Sequence, residues 1–203
     1  MDMSETTTQN SPTIADPTSL GLFGLAVAAL VLASADFGWT GAQKALIIPW
    51  TLFLGATAQL IAGSIDFRRN NLFGATAFTG YALLWYGLTL TYVIMLWGGV
   101  AVEPKHLTFA FIGYLVFSIY LTFGSLNTNK MLFVVLIFID LALIALIVNS
   151  YYPFDSRITG ATLLGTSFSA FYGAAGALLN KHTGVEILPL GKPIMTFKPK
   201  KSE

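Results

Sequence analysis

Asp140 is the first residue that needs explaining. It sits in Leu136-Ile137-Phe138-Ile139-Asp140-Leu141, in the middle of a long apolar run. If that run crosses a bilayer, an ionised carboxylate at its centre costs at least about 2.5–3.5 kcal/mol. No Lys or Arg lies inside any comparable run to pair with it. Its partner must then be a hydroxyl, an amide or water, or the acid must carry a proton. Burial disfavours the charged form. Two readings stand side by side: a proton carrier, or a hydrogen-bonded acid at a helix contact.

Other polar residues inside apolar runs include Gln59, Thr76, Thr79, Tyr81, Thr162, Thr166, Ser167 and Ser169. Serine and threonine can satisfy themselves on the preceding helical turn, so singly they say little. Gln59 has no such recourse. A primary amide in lipid must face a wet cavity or bond to another helix, and both roles remain open. Catalysis finds little support. There is no cysteine, hence no disulfide framework and no thiolate for a metal or a nucleophile. The two histidines, His106 and His182, fall at the ends of apolar runs, and Asp140 stands alone. An embedded enzyme would need paired acids or histidines inside the bundle. The expectation is a protein that is not an enzyme and needs no metal or cofactor.

The elements that hold these residues follow from composition. The chain has 203 residues, 55% hydrophobic and 10% charged, where soluble domains carry roughly 25% charge. Six apolar runs lie at about 18–36, 45–65, 75–98, 107–126, 131–149 and 158–179. Each is near the ~20 residues that span a bilayer as a helix. Lipid offers no partner to backbone N–H and C=O groups, which leaves helices or a closed barrel. Continuous runs of this length, rather than alternating ten-residue segments, select helices. The expected fold is an all-α integral membrane protein, a six-helix bundle of antiparallel neighbours over residues 16–180. Residues 1–15 read as a disordered polar tail and 181–203 as a basic, solvated one.

With six spans, both tails share one side. That side holds Arg68, Arg69, Lys130, Lys181, Lys192, Lys198, Lys200 and Lys201, and the other holds Lys44, Lys105 and Arg157. The positive-inside rule therefore places both termini in the cytoplasm. Trp39, Trp97, Tyr151 and Tyr152 fall near the opposite helix ends and suit an aromatic belt. Glycines recur in the spans, and Ser169, Gly173 and Ala177 repeat on one face, which lets helix backbones touch. A net charge of +1 suggests no nucleic-acid partner.

The first span opens with Asp16-Pro17-Thr18-Ser19-Leu20-Gly21-Leu22-Phe23-Gly24. Locally this is a helix start, with Asp16 suited to cap free N–H groups and Pro17 to the first turn. Gly21 and Gly24 leave one face bare. The stretch resembles the Asn-Pro-Ala-Pro-Leu-Gly-Leu signature of the acetate uptake transporters, or succinate–acetate permeases. Pro17, Leu20, Gly21 and Leu22 agree with it, and Asp16 replaces the Asn. The resemblance continues through Ala58-Gln59-Leu60-Ile61-Ala62-Gly63, Asn71-Leu72-Phe73-Gly74-Ala75-Thr76-Ala77-Phe78-Thr79-Gly80-Tyr81 and Leu188-Pro189-Leu190-Gly191, in family order.

The resemblance implies transport of acetate and related short carboxylates, succinate included, through a pore in each protomer of a homo-hexamer in the cell membrane. Family members are described both as proton-coupled symporters and as anion channels. It further implies a hydrophobic constriction, which the quoted motifs place at Leu25, Tyr81 and Ile139. Of these only Tyr81 is identical to the family residue. Leu25 stands for a Phe and Ile139 for a Leu, so the neck stays apolar and changes shape. The Tyr81 hydroxyl is then expected to greet a passing carboxylate, with Gln59, Thr76 and Thr79 nearby on the path. A channel for another small solute, such as ammonium, is the alternative.

A short carboxylic acid has a pKa near that of Glu, about 4.3, so at neutral pH it is mostly anion. Without buried cations the path must meet it with hydroxyls, amides and backbone N–H groups. Such binding is weak and favours fast passage. Asp16 raises a separate point: an ionised Asp repels an anion entering beside it, so either it is solvated and paired or entry is not at this helix end.

Overall fold

The computed structural model describes residues 14–40, 44–99, 103 and 105–197. The expected tail over residues 1–15 lies almost wholly outside them. Among the described residues, six helices are long and apolar enough to cross a membrane. They are α1 (Thr18–Asp36), α2 (Ile47–Arg68), α3 (Leu72–Trp97), α4 (Lys105–Ser125), α5 (Lys130–Tyr151) and α6 (Ser156–Thr183). The apolar runs end within a few residues of these helices, because hydropathy marks the stretch that lipid would solvate and the caps lie just beyond it.

Polar residues start three of the helices. Asn71 accepts the Gly74 N–H at 3.2 Å, Asn129 that of Leu132 at 2.9 Å, and Asp155 that of Arg157 at 3.0 Å. Each satisfies a backbone donor that the first turn leaves free. The start of α1 differs by one residue from the expectation. Helix begins at Thr18, so Pro17 takes the cap position and Asp16 precedes it. The Asp16 carboxylate still captures the Thr18 N–H at 3.0 Å and its hydroxyl at 2.6 Å.

Helix α2 is not uniform. Its first turn is α-helical, Thr51–Ala58 winds as a π-helix, and α-helix resumes at Gln59. Pro49 lies just before the change and removes one backbone donor. The Thr57 hydroxyl donates to the carbonyl of Leu52, five residues back, at 2.9 Å. Nothing in the apolar run announces this wider winding. It places the Leu54 carbonyl against Gly24 of α1, where any Cβ would overlap it.

The helices close into a ring. Helix α1 packs most extensively on α6, α6 on α5, α5 on α4, α2 on α3, and α1 on α2. The seam between α3 and α4 has little backbone packing. Helices α1 and α6 end and begin so that one end of the bundle, called proximal, carries the start of α1 and the finish of α6. The other end is distal.

Past α6 the chain turns at Gly184, whose φ of 73° is left-handed and suits glycine. It then returns along the proximal end. Asn180 holds it by accepting the N–H groups of Ile187 and Leu188 and donating to the Leu188 carbonyl at 2.7 Å. The Leu190 carbonyl accepts the Met131 N–H, and the Leu126 carbonyl those of Ile194 and Met195, each at 3.0 Å. The segment expected as a solvated tail is thus tied to α4, α5 and α6 through residue 195, although its side chains stay largely exposed.

Candidate functional site

The polar residues singled out in the sequence separate into three groups. The first lies on cavities inside the ring. A proximal cavity of about 210 Å³ is lined by Thr18, Gln59, Asn71, Tyr81, Thr128, Asn129 and apolar neighbours. A central chamber of about 50 Å³ follows, then a distal vestibule of about 410 Å³ bearing Asp36, Thr91, Tyr92, Asn149 and Ser150. The three lie in file and share walls. Leu25, Tyr81 and Ile139 line both the proximal cavity and the chamber. Leu32, Leu88 and Leu146 line both the chamber and the vestibule. Two apolar rings therefore bound the chamber.

The chamber is apolar almost throughout. Its two hydroxyl-bearing residues turn their oxygens to other partners. Thr166 donates to the Thr162 carbonyl at 3.1 Å, and the Tyr81 hydroxyl pairs with Ser118 at 2.7 Å. The Tyr81 hydroxyl thus turns to α4, while the residue lines both cavities. Gln59 lines the proximal cavity. The residue is 1% exposed, and among the described residues neither its Nε2 nor its Oε1 has a hydrogen-bond partner. An amide pays for burial unless something hydrogen-bonds it, and this one lies buried in the cavity wall.

Thr76 and Thr79 line none of these cavities. Thr79 packs instead against Gly63 of α2, where a Cβ would overlap its hydroxyl. Their spacing from Tyr81 along α3 explains this. Thr79 is two residues from Tyr81 and so points about 200° around the helix. Gln59 and Thr79 both looked polar in the sequence, and only helix phase separates them.

Asp140 also stands off the cavities. It projects from α5 toward α4, where its Oδ1 accepts the Ser118 hydroxyl and its Oδ2 the Thr122 hydroxyl at 2.8 Å. Hydroxyls, not a cation, are its partners. Ser118 was invisible as a functional residue in the sequence, being one serine among many apolar neighbours on α4.

The third group is a charged cluster at the proximal end. The Arg69 guanidinium meets Asp16 at 3.1 Å and buried Asp66 at 2.8 Å, and Lys181 meets Asp16 at 3.1 Å. Burial pushes the Asp16 carboxyl up, but bonds from Thr18, Lys181 and Arg69 outweigh it and hold the group well below the usual carboxylate range. The charge that would repel an entering anion is therefore paired with two cations. The cluster joins α1, the end of α2 and the end of α6. Among the described residues no group of three metal-ligating side chains occurs.

Known proteins resemble this chain over most of its length. A solved structure, that of the bacterial acetate channel SatP, superposes with a TM-score of 0.82 at 28% identity, covering 88% of this chain and 100% of that one. The succinate-acetate/proton symporter SatP of Escherichia coli is 28% identical, over 88% of this chain and 96% of its own. Acetate permease A of Emericella nidulans is 23% identical, over 87% of this chain and 65% of its own. Residues 3–192 match the family profile, and the chain belongs to the GPR1/FUN34/yaaH family.

Proposed function

We propose that this chain moves acetate and related short carboxylates, succinate among them, across a membrane through the file of cavities inside its bundle. One observation carries the reading: two apolar rings bound a small chamber with no Lys or Arg on it, and a buried, unpartnered amide waits on the proximal side. The anion meets Gln59, Asn71 and Asn129 in the proximal cavity, then sheds water to pass Leu25, Tyr81 and Ile139. Without a fixed cation it is held weakly, and weak holding suits rapid passage. No bond of the carboxylate is made or broken.

Protons are the second passenger in this reading. Asp140 reaches the neck only through Ser118 and Tyr81, so a proton exchanged between Asp140 and the path travels along that hydroxyl row. Assembly as a hexamer is proposed on the family resemblance. Gly87 and Gly113 support it, because both face outward with nothing nearby and permit close helix contact between copies. The positive-inside count supports a cytoplasmic proximal end.

The test is uptake of labelled acetate by liposomes holding the purified protein, with and without an inward proton gradient. Protein-dependent uptake that saturates or competes with succinate supports the reading. Uptake that follows the proton gradient marks a symporter, and uptake that follows only acetate gradient and voltage marks a channel. Flux of ammonium without any of acetate would overturn it.

A further inference from the structure

Tyr81 is anchored from outside the path. Its hydroxyl is paired with Ser118 of α4 at 2.7 Å, and Ser118, itself 0% exposed, donates its proton to Asp140 of α5. A serine hydroxyl has one proton, so with that proton directed at Asp140 the Tyr81 hydroxyl is the donor to Ser118. Thr122, one turn along α4, occupies the other carboxylate oxygen and fixes its rotation. Phe117, next to Ser118, meets the Tyr81 ring edge-on with centroids 5.4 Å apart. Two adjacent residues of α4 thus hold one tyrosine of α3. They do so across the α3–α4 seam, where the backbones themselves pack little.

This arrangement has a consequence for the neck. A buried tyrosine hydroxyl seeks a partner. While Ser118 supplies one, the ring stands with its polar end pulled away from the cavities and only carbon faces the path. We propose that Ser118, oriented by Asp140, is the positioning residue that sets the aperture and apolarity of the neck by holding Tyr81, and so decides which carboxylates pass. The inference rests on the transport reading above and deepens it.

The experiment compares initial uptake of acetate and butyrate by liposomes of the full-length protein. Five proteins are measured: wild type, Ser118→Ala, Tyr81→Phe, the double variant and Ser118→Thr. Removing one bond of this kind should lower the acetate-to-butyrate ratio roughly fivefold, the weight of one hydrogen bond. Tyr81→Phe should shift it comparably, because it cuts the same bond. The double variant should shift it no further than either single one, as coupled partners do. Ser118→Thr keeps a hydroxyl and should restore the wild-type ratio. A merely structural role would lower both fluxes together and leave the ratio alone. An unchanged ratio in Ser118→Ala, or additive shifts in the double variant, would overturn the inference. Should Ser118→Ala fail to fold, an unchanged ratio in Tyr81→Phe does the same. Wild-type liposomes that pass acetate no faster than empty ones would instead overturn the transport reading and this inference with it.

Discussion

Gln59 and Asp140 are both polar and both lie in apolar surroundings, yet their situations are opposite. Asp140 has two hydroxyl donors and no cavity, and Gln59 has a cavity and no donor. The difference predicts different variants. Gln59→Leu removes an unpartnered amide, so thermal stability in detergent should hold or rise, while acetate uptake at low concentration should fall by about tenfold. A drop in both would mean that the amide has a structural partner. Asp140→Asn should abolish uptake driven by external acidification in a protein that still folds. Normal coupled uptake in that variant would remove the proton role from Asp140. The sequence made both residues conspicuous, since polar groups are rare in such runs. It did not distinguish their roles, because a role depends on which helix stands opposite. Ser118 shows the converse, as a common residue made important only by a tyrosine and an aspartate from two other helices.

At the scale of elements, spans were legible and winding was not. Hydropathy defines six helices to within a few residues at each end, because lipid imposes one secondary structure on long apolar runs. The π-helical stretch of α2 leaves no comparable mark, and with it goes the approach of Leu54 to Gly24. Gly24→Val would place a side chain into that carbonyl and should destabilise the bundle by about 1–3 kcal/mol, read from thermal unfolding in detergent. The proximal cluster predicts a pH dependence. The Asp16 carboxyl is held below its ordinary value of 3.8, so its pairing stabilises the fold above that value and fades as pH falls below it. Asp16→Asn should therefore unfold earlier than wild type at pH 7, and the gap should narrow, without closing, at pH 3. A gap as wide at pH 3 as at pH 7 would mean that Asp16 acts through packing alone.

For the whole molecule, the path was half legible. Aligned motifs pointed to Leu25, Tyr81 and Ile139, which the fold does bring to one wall between two cavities. The second ring, Leu32, Leu88 and Leu146, was not legible, because leucines do not stand out among leucines. Only the closure of six helices around a common centre picks them out. In the proposed function, carboxylates pass through the neck at Leu25, Tyr81 and Ile139. The most direct measurement is uptake of labelled acetate into liposomes near pH 8, where almost no acetate is protonated and leakage through lipid is least. Wild type is compared with Ile139→Trp, whose larger side chain fills the neck. Uptake well above empty liposomes for wild type and close to them for the variant is the result expected. Equal uptake by wild type and a folded Ile139→Trp protein would mean that acetate crosses by another route and would overturn passage through this neck.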